Sequence, residues 1–591
     1  MAMFSQGSIP GVYIRSPRDV SNNIKLSNQT IAGFVGLAHK GPIDEPVKIT
    51  DFNQFIDIFG GFDSIGYLPY SVYSYFNSGG KICYVVRTAH RGENGISKAS
   101  LPLTSVFSDD KILVTAKTPG SWGNKINVRT WYEKERTLKW KLIEGEKKSY
   151  LEIDLSQNEV GDKVRVFYTD GKKVIFSVSD SAVKKGFVTI PLSTEHKNAI
   201  ASGEEPVVHQ VRLNISLTDG DIVEDYLYLS TRSNDRRFYL DRLATSKLVD
   251  IQADDIDVEV WLPPETNVNC LTMGRDGILE LSAGDFIGYY KGPYNYRGLG
   301  VLESLTEVNV ICVPDLSLLT QIYQNDQQKA KDYVHAVQIE MIAQAEKLGN
   351  RMALFDAPDL QNPLELVALA NKYDSAHAAM YYPQIEIIDP KVADGSSTIY
   401  IPPCGAIAGT IAKCDADEGH FRAPAGILVP GAVGVKQKLD DEIFQTVYAN
   451  GINVMKRIPG KGIKIWGART LSSDPNWRYI NVRRTFSVLS RAIREGMGWA
   501  VFEPNNMGLR KRIMRHVSAF LIDMWRKGYL SGKNPEEAFF IRCDNELNPP
   551  ENIDAGIITV MVGLCISKPA EYIVVTLNAV KDDANVVIQE A

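Results

Sequence analysis

The sequence predicts a multidomain α/β protein with a mainly β insertion and an extended arm at each end of the chain. Three observations support this fold class. The 591 residues are too many for one hydrophobic core. Residues 236–450 alternate apolar strands with helices, whereas residues 130–235 alternate single apolar and polar residues between turn dipeptides. Both ends of the chain carry short β-prone runs.

The first 25 residues are predicted to form an N-terminal arm. Pro10-Gly11 disfavours a helix, and Val12, Tyr13 and Ile14 form a β-prone run directly after it.

Residues 26–129 are predicted to form a small α/β unit. Its first strand is Ile31–Ala38, and Asp51 is placed to cap a short helix. A second helix near Pro69–Asn77 is followed by two glycines and then by a strand over Ile82–Val86.

Residues 130–235 are predicted to form a mainly β insertion with a polar, outward-facing surface. Period-two alternation runs through this segment, and Asp170-Gly171 and Asp219-Gly220 are typical hairpin dipeptides.

Residues 236–450 are predicted to form the principal α/β unit. Val308–Val313 is a fully apolar strand, Ala330–Leu348 a helix and Met352–Phe355 a further strand. This rhythm indicates a parallel or mixed sheet with helices on both faces.

Residues 451–570 are predicted to form a C-terminal α+β unit, followed by a strand and tail at 571–591. Two amphipathic helices dominate the unit. The second has an apolar stripe and a separate polar stripe. The apolar stripe consists of Leu509, Ile513, Val517, Phe520 and Met524, and the polar stripe of Lys511, Arg515, Ser518, Ile522 and Arg526. Residues 571–580 alternate as a strand does, and a polar tail follows.

Charge is distributed unevenly along the chain. The net charge is −6, yet residues 451–528 contain sixteen Lys and Arg against four acidic residues. Three interpretations remain open at this point: phosphate neutralisation on a nucleic acid, docking on an acidic protein surface, or solvated helix faces around buried tryptophans.

No motif predicts catalysis, a cofactor or a metal. The segment Gly528–Lys533 is one residue short of a Walker A loop, and the glycines Gly405 and Gly409 have the wrong spacing for a dinucleotide loop. The polar cluster Cys414–His420 is interpreted as a solvated turn rather than a metal site. Residues 1–11 do not resemble a signal peptide, and the longest nearly apolar run, Ala555–Ile566, is too short to span a bilayer. We therefore expect the protein in the cytoplasm when it is made.

Six segments follow one another in the C-terminal part of the chain: Asn450–Asn453, Trp466–Leu471, Trp477–Arg484, Trp499–Asn505, Pro535–Phe539 and Pro569–Tyr572. Together and in this order they resemble the C-terminal domain of contractile tail sheath proteins. This family covers myophage tails, R-type tailocins, extracellular contractile injection systems and, more distantly, type VI secretion.

Upstream segments are similar to the rest of that family. They are Pro10–Tyr13, Thr118–Asn124, Tyr381–Pro383 with Asp389-Pro390, Pro402–Gly409 and Ala423–Gly426. The resemblance covers roughly residues 8–130 and 236–580. Position 404 departs from it, being Cys where the family more often has a small hydroxyl residue, as do His420 and Phe421, which replace a more apolar pair.

The resemblance implies a subtilisin-like α/β domain, a tube-facing C-terminal domain and a structural role. It implies a helical homopolymer of stacked hexameric rings around an inner tail tube, bounded by baseplate and terminator proteins, in a virion tail or an injection-system particle. It implies neither nucleic-acid binding nor membrane insertion, although a nucleic-acid-binding protein remains a distant alternative. The family is not enzymatic, and the Gly-Thr-Ser turn of subtilisins is absent from this sequence.

Two hypotheses about surfaces follow from the resemblance. The first is that the arms lend strands to neighbouring subunits through Val12, Tyr13 and Ile14 at one end and Ile573, Val575 and Leu577 at the other; edge strands within one subunit are the alternative. The second is that Lys511, Arg515 and Arg526 dock on an acidic inner tube.

Overall fold

The computed structural model describes residues 24, 26–27, 29–62, 66–106, 108–144, 148–168, 172–220, 222–253, 261–288, 296–358, 362, 364–392 and 394–571, and the backbone of two strands at 575–578 and 587–590. It is a mixed α/β protein with several sheets.

The strands of the described chain have the following bounds: β1 (Ala32–Gly36), β2 (Pro46–Ile49), β3 (Cys83–Arg87), β4 (Ser100–Thr104), β5 (Lys111–Ala116), β6 (Asn127–Thr137), β7 (Trp140–Glu144), β8 (Ser149–Asp154), β9 (Lys163–Phe167), β10 (Lys173–Ser177), β11 (Phe187–Pro191), β12 (Val207–Asp219), β13 (Ile222–Leu229), β14 (Val249–Gln252), β15 (Val310–Cys312), β16 (Met352–Asp356), β17 (Ala378–Tyr382), β18 (Ile385–Ile388), β19 (Thr398–Ile401), β20 (Ala432–Val435), β21 (Ile452–Ile458), β22 (Gly462–Trp466), β23 (Phe539–Arg542), β24 (Met561–Leu564), β25 (Val575–Asn578) and β26 (Val587–Glu590).

The helices have the following bounds: α1 (Phe52–Phe59), α2 (Leu68–Asn77), α3 (Asp180–Lys185), α4 (Thr194–Ala201), α5 (Tyr239–Leu243), α6 (Ala283–Ile287), α7 (Leu299–Glu303), α8 (Leu316–Ile322), α9 (Gln327–Leu348), α10 (Glu365–Ala370), α11 (Cys404–Asp417), α12 (Asp441–Ala449), α13 (Ile480–Gly496), α14 (Met507–Arg526), α15 (Pro535–Ala538) and α16 (Pro550–Asp554).

An eight-stranded sheet organises the central part of the protein. Its strand order is β2-β3-β1-β15-β16-β17-β21-β22, with parallel pairing from β3 to β21 and an antiparallel strand at each edge. Residues 26–129, 236–450 and 451–570 are predicted from the sequence to form separate units. The structure instead places strands from all three in this one sheet, because apolar strands far apart in the sequence pair side by side.

Both faces of this sheet are covered, as the sequence predicts. Consecutive residues of a strand point to opposite faces, so Phe34 lies in one apolar cluster and Val35 in the other. The Val35 face packs against α7 and α9, and the Phe34 face against α1, α2 and α11.

The two glycines of α11 determine how closely it approaches α2. A Cβ atom on Gly405 would lie 2.1 Å from the Ser71 carbonyl oxygen, and one on Gly409 would lie 2.2 Å from the Tyr75 carbonyl oxygen. The glycines that have the wrong spacing for a dinucleotide loop are therefore helix-packing residues.

The insertion consists mainly of β-strands and extends beyond the 130–235 interval. It combines the sheet β10-β9-β12-β13, to which β6 pairs through β12, with the three-stranded sheets β11-β8-β7 and β14-β5-β4. One of its apolar clusters extends from Ala99 to Leu271. The insertion therefore includes β4 and β5 from the predicted N-terminal unit.

The C-terminal region packs α13 and α14 around a separate apolar cluster. The buried residues of α14 are Leu509, Arg510, Ile513, Val517, Phe520, Leu521 and Met524, which include the whole predicted apolar stripe. Ile24 and Leu26, where the described N-terminal chain begins, pack against the same cluster. Among the described residues, no helix is both long enough and apolar enough to cross a membrane.

Candidate functional surfaces of the C-terminal region

Helix α14 presents the predicted polar stripe to solvent. Asn506 caps the helix by accepting a hydrogen bond from the Leu509 backbone N–H at 2.9 Å. With the apolar stripe buried, Lys511, Arg515 and Arg526 are exposed on another face. None of the three forms an ion pair with another described residue.

Much of the remaining positive charge of this region is used within the subunit. Arg512 pairs with Glu503 at 2.6 Å, and Lys527 pairs with Asp523 at 2.8 Å. Arg510 is buried, with Nη1 3.2 Å from Asn545 Oδ1. The excess of positive charge counted in the sequence is therefore larger than the charge that a partner can contact. On α14, the exposed cations that remain available to a partner are Lys511, Arg515 and Arg526.

Arg484 and Asp415 form a fully buried ion pair between α13 and α11. Arg484 Nη1 lies 2.9 Å from Asp415 Oδ1, and Thr30 Oγ1 contacts both side chains. Although burial opposes ionisation of Asp415, the charge of Arg484 outweighs it and holds the pKa of Asp415 below its usual value. The pair fixes Thr30, at the exit of the N-terminal arm, to two helices.

The solvated-turn interpretation of Cys414–His420 is wrong for three of its residues. Cys414, Asp415 and His420 are buried, since α11 continues to Asp417. Burial lowers the pKa of His420 to about 4, so its imidazole is neutral beside Asp415 at neutral pH. Among the described residues, no group of three or more potential His, Cys, Asp or Glu ligands is positioned to hold a metal.

Glu571, the first residue of the predicted C-terminal strand and tail, is bound by the side chains of Arg469 and Tyr448. Arg469 Nε lies 3.0 Å from Glu571 Oε1, and Tyr448 donates a hydrogen bond to the same oxygen. Burial opposes ionisation of Glu571, yet the hydrogen bonds from Arg469 and Tyr448 keep its pKa below the usual value. The guanidinium of Arg469 also lies 4.2 Å from the centre of the Tyr448 ring.

An aromatic groove of about 1120 Å³ lies beside this anchor. Its lining includes Phe421, Phe444, Tyr448, Trp466 and Tyr479 together with residues 567–571. Phe421 also lines a pocket of about 540 Å³ where Ile24 and Leu26 lie. The exit points of the two arms are therefore neighbours on the C-terminal region.

The two-stranded sheet β23–β24 has no further strand paired to it within the described chain. Phe540 of β23 and Met561 of β24 are exposed, whereas the flanking Phe539, Ile541, Val562 and Leu564 are partly buried against the C-terminal cluster. An isolated two-stranded sheet is marginal in water, and its free edges are templates for another strand.

The predicted arm residues are mostly outside the described chain. Val12, Tyr13, Ile14 and Ile573 lie there. The backbone of Val575 and Leu577 lies in β25, which is shorter than the predicted strand and pairs antiparallel with β26. The tail predicted to be merely polar thus contains a strand.

The ion pair of Asp415, the contacts of Glu571 and the full exposure of Phe502 were not predicted from the sequence, which assigned Asp415 to a solvated turn. Asp415 lies in a mainly apolar helix, which is a usable signal for a buried, paired acid. Glu571 and Phe502 carry no such signal, because contacts and exposure of this kind are not encoded in local patterns.

Two family models match adjacent parts of the chain. Residues 306–471 match the phage tail sheath protein central domain, and residues 472–579 match the phage tail sheath C-terminal domain. The first match contains β15 to β22, and the second contains α13, α14 and β23–β24.

Relatives at the sequence level carry the same description. A putative prophage major tail sheath protein of Pseudomonas aeruginosa (strain UCBPP-PA14) is 26% identical over 240 residues, which are 40% of this chain and 59% of the relative. The tail sheath protein of Burkholderia phage BcepMu is 26% identical over 254 residues, which are 40% of this chain and 51% of the relative. The chain thus matches between half and three fifths of the length of these relatives.

Solved structures share the fold over the full chain. The crystal structure of the sheath tail protein of Desulfitobacterium hafniense gives a TM-score of 0.52 at 12% identity, covering 98% of this chain and 99% of that one. A chain in the cryo-EM structure of the anti-feeding prophage baseplate in the contracted state gives 0.51 at 16% identity, covering 99% of this chain and 100% of that one.

Proposed function

This chain belongs to the contractile tail sheath family, and we propose that it is the subunit that polymerises helically around an inner tube and contracts to drive the tube through a target cell envelope. The observation that carries the proposal is the pair of adjacent sheath-domain matches over residues 306–579. The particle is a phage tail or, alternatively, a tailocin or extracellular injection system.

The proposed role is structural and involves no catalysis. The buried polar residues of the C-terminal region serve packing: Arg484 neutralises Asp415, and Arg469 anchors Glu571. The finer description of the eight-stranded domain as subtilisin-like belongs to this proposal and concerns topology alone.

Assembly is proposed to proceed by strand lending between copies. The acceptor is the β23–β24 sheet, and the donors are the two arms, with Val12, Tyr13 and Ile14 at one end and Ile573, Val575 and Leu577 at the other. Added strands form backbone hydrogen bonds without requiring a large side-chain interface. In a subunit without partners, β26 pairs with β25, and this pairing is proposed to be exchanged for one with a neighbour.

The inner tube is proposed to contact α14 through Lys511, Arg515 and Arg526. Exposed ion pairs contribute only about 0–1 kcal/mol each. Such contacts set the register of each subunit during assembly and break easily during contraction. The other proposed partners are the baseplate and terminator proteins, with neither nucleic acid nor a membrane involved, and assembly takes place in the bacterial cytoplasm.

Contraction is proposed to be a collective rearrangement of rigid subunits joined by their arms. The free energy comes from contacts that are better made in the contracted lattice. An additional burial on the order of 500 Å² of apolar surface per subunit corresponds to at most about 12 kcal/mol, so nucleotide hydrolysis by this chain is unnecessary.

Electron microscopy of the purified full-length chain tests the proposal. A sheath subunit at high concentration forms hollow helical cylinders, with or without a tube as core. A preparation that remains monodisperse under both conditions contradicts it.

A further inference from the structure

The connection between α13 and α14 carries an exposed apolar tip, formed by Val501, Phe502, Met507 and the nearby Ile557. Phe502 is fully exposed, Val501 is 62% exposed, and the other two are about half exposed. Trp499, only two residues before Val501, is partly buried against the C-terminal cluster. An exposed patch of large apolar side chains on one loop is typical of a contact surface.

The backbone at Phe502 adopts a left-handed conformation, with φ of 68°. A bulky residue is rarely found there, and such strain persists only where the surroundings impose it. Glu503 pairs with Arg512 at 2.6 Å, and the Asn505 side-chain amide donates a hydrogen bond to the Ile557 carbonyl oxygen at 3.2 Å. These contacts hold the residues beside Phe502, so the tip is presented in a fixed shape.

The tip is continuous with the basic face of α14. Met507, Lys511 and Arg515 are spaced by four residues, which places them on one side of the helix. At 1.5 Å per residue, Lys511 lies about 6 Å and Arg515 about 12 Å along the axis from Met507. All three side chains are exposed. One surface is therefore apolar at its end and cationic along its length.

We propose that this tip is the apolar anchor of the tube-docking surface: Phe502, with Val501 and Met507 around it, inserts into an apolar pocket of an acidic protein partner while Lys511 and Arg515 pair with acids beside the pocket. The inference rests on the proposed function, which supplies an inner tube as the partner. Lys511 and Arg515 favour a partner with an acidic surface, because neither of them pairs with an acidic residue of the described chain. Buried aromatic anchors supply most of the affinity of such interfaces, whereas charges at the rim supply register and rate.

The deciding experiment compares wild type with Phe502→Gly. Glycine accepts the left-handed backbone without strain, so the variant folds with an unchanged or higher Tm. It removes the anchor while leaving both cations in place. We expect at least a tenfold loss in co-assembly with purified inner tube, whereas self-assembly without tube is unchanged. Met273→Gly is the matched control, since Met273 also has a φ of 68° and is 74% exposed far from α14 in the sequence, and it co-assembles as wild type does.

Binding at high salt concentration distinguishes the contribution of the apolar anchor from that of the cations. Near 1 M salt the Debye length falls to about 3 Å, so the charge contacts are screened and the remaining binding measures the apolar anchor. Wild-type sheath is expected to retain tube under these conditions at least tenfold better than Phe502→Gly.

Each contrary outcome has a distinct meaning. Equal co-assembly of Phe502→Gly and wild type overturns the anchor and leaves the sheath function standing. Loss of self-assembly in Phe502→Gly without tube assigns the tip to contacts between copies and overturns the tube anchor. Failure of wild type to polymerise at all overturns the proposed function and the anchor with it.

Discussion

Arg484 on α13 neutralises Asp415 on α11 in a site where both side chains are buried. The pair joins the C-terminal region to the central sheet domain, since α13 belongs to the former and α11 covers the latter. Thr30, which leads from the N-terminal arm into β1, completes the contact. Thr30 is therefore fixed to both regions.

Removal of Arg484 alone is expected to destabilise the subunit strongly. Arg484→Met leaves the Asp415 carboxylate buried and unpaired, which costs about 3–5 kcal/mol. The double variant with Asp415→Leu removes both charges and is expected to recover most of that loss. Thermal unfolding measures both. Lys527→Met is the control, because its pair with Asp523 is exposed and its loss changes Tm little. A single variant as stable as wild type contradicts the interpretation.

Deletion of residues 1–18 is expected to give a folded subunit that does not polymerise. Ile24, Leu26 and Thr30 retain their contacts, including the bond between Thr30 and Asp415, so the core is preserved. The missing segment contains the proposed donor residues Val12, Tyr13 and Ile14. Circular dichroism checks the fold, and sedimentation with electron microscopy checks assembly. Normal cylinders from the truncated chain would refute strand lending by the N-terminal arm.

Reversal of two exposed charges on α14 is expected to abolish docking on the tube. Lys511→Glu with Arg515→Glu replaces attraction to an acidic surface by repulsion, while the buried face of the helix is unchanged. Co-sedimentation with inner tube gives the readout. Lys111→Glu with Lys185→Glu, on the insertion, is the matched control and is expected to co-sediment normally. The same behaviour in both double variants would remove α14 from the tube interface.

The buried carboxyl of Asp315 makes a pH-dependent contribution to stability. Burial raises its pKa from 3.8 to about 7, against the backbone hydrogen bonds from Leu37 and Tyr67. Between these values the folded state binds a proton that the unfolded state does not, so the contribution of this group falls as pH rises from about 4 to about 7.

Asp315→Asn removes that titration and is expected to gain Tm relative to wild type as pH rises from 5 to 8. Thermal unfolding across this range measures the difference. Asp554→Asn, the same substitution at an exposed position, is the matched control. A pH-independent difference for Asp315→Asn would mean that the group does not titrate in this range.

Local periodicity predicted most elements of the central sheet and of α14. The apolar stripe of α14 is confirmed, as are the helix that follows Asp51 and the strand predicted over Met352–Phe355, which extends one residue further in the structure. These elements are determined by spacing and capping within a few residues. The strand order of the sheet is not determined by such local features, because β1 pairs with β15 across more than 270 residues. Period-two patterns do not identify the partner of a fully buried strand.

Some features of the candidate surfaces could likewise be predicted from local sequence patterns, and others could not. The exposure of Lys511 and Arg515 follows from helical spacing. The ion pairs of Arg469 and Arg484 could not be predicted in this way, because their partners Glu571 and Asp415 are distant in the sequence. The exposure of Phe502 is determined by a backbone conformation that phenylalanine seldom adopts, so no sequence pattern predicts it.

Amide hydrogen exchange of β23 and β24 tests strand lending between copies most directly. The measurement compares the assembled cylinder with the subunit lacking residues 1–18, using peptides that cover Phe539–Arg542 and Met561–Leu564. Strands donated by neighbours would bond the free edges of this sheet, so exchange in the cylinder is expected to slow at least tenfold. Equal exchange rates in the two states would contradict the account.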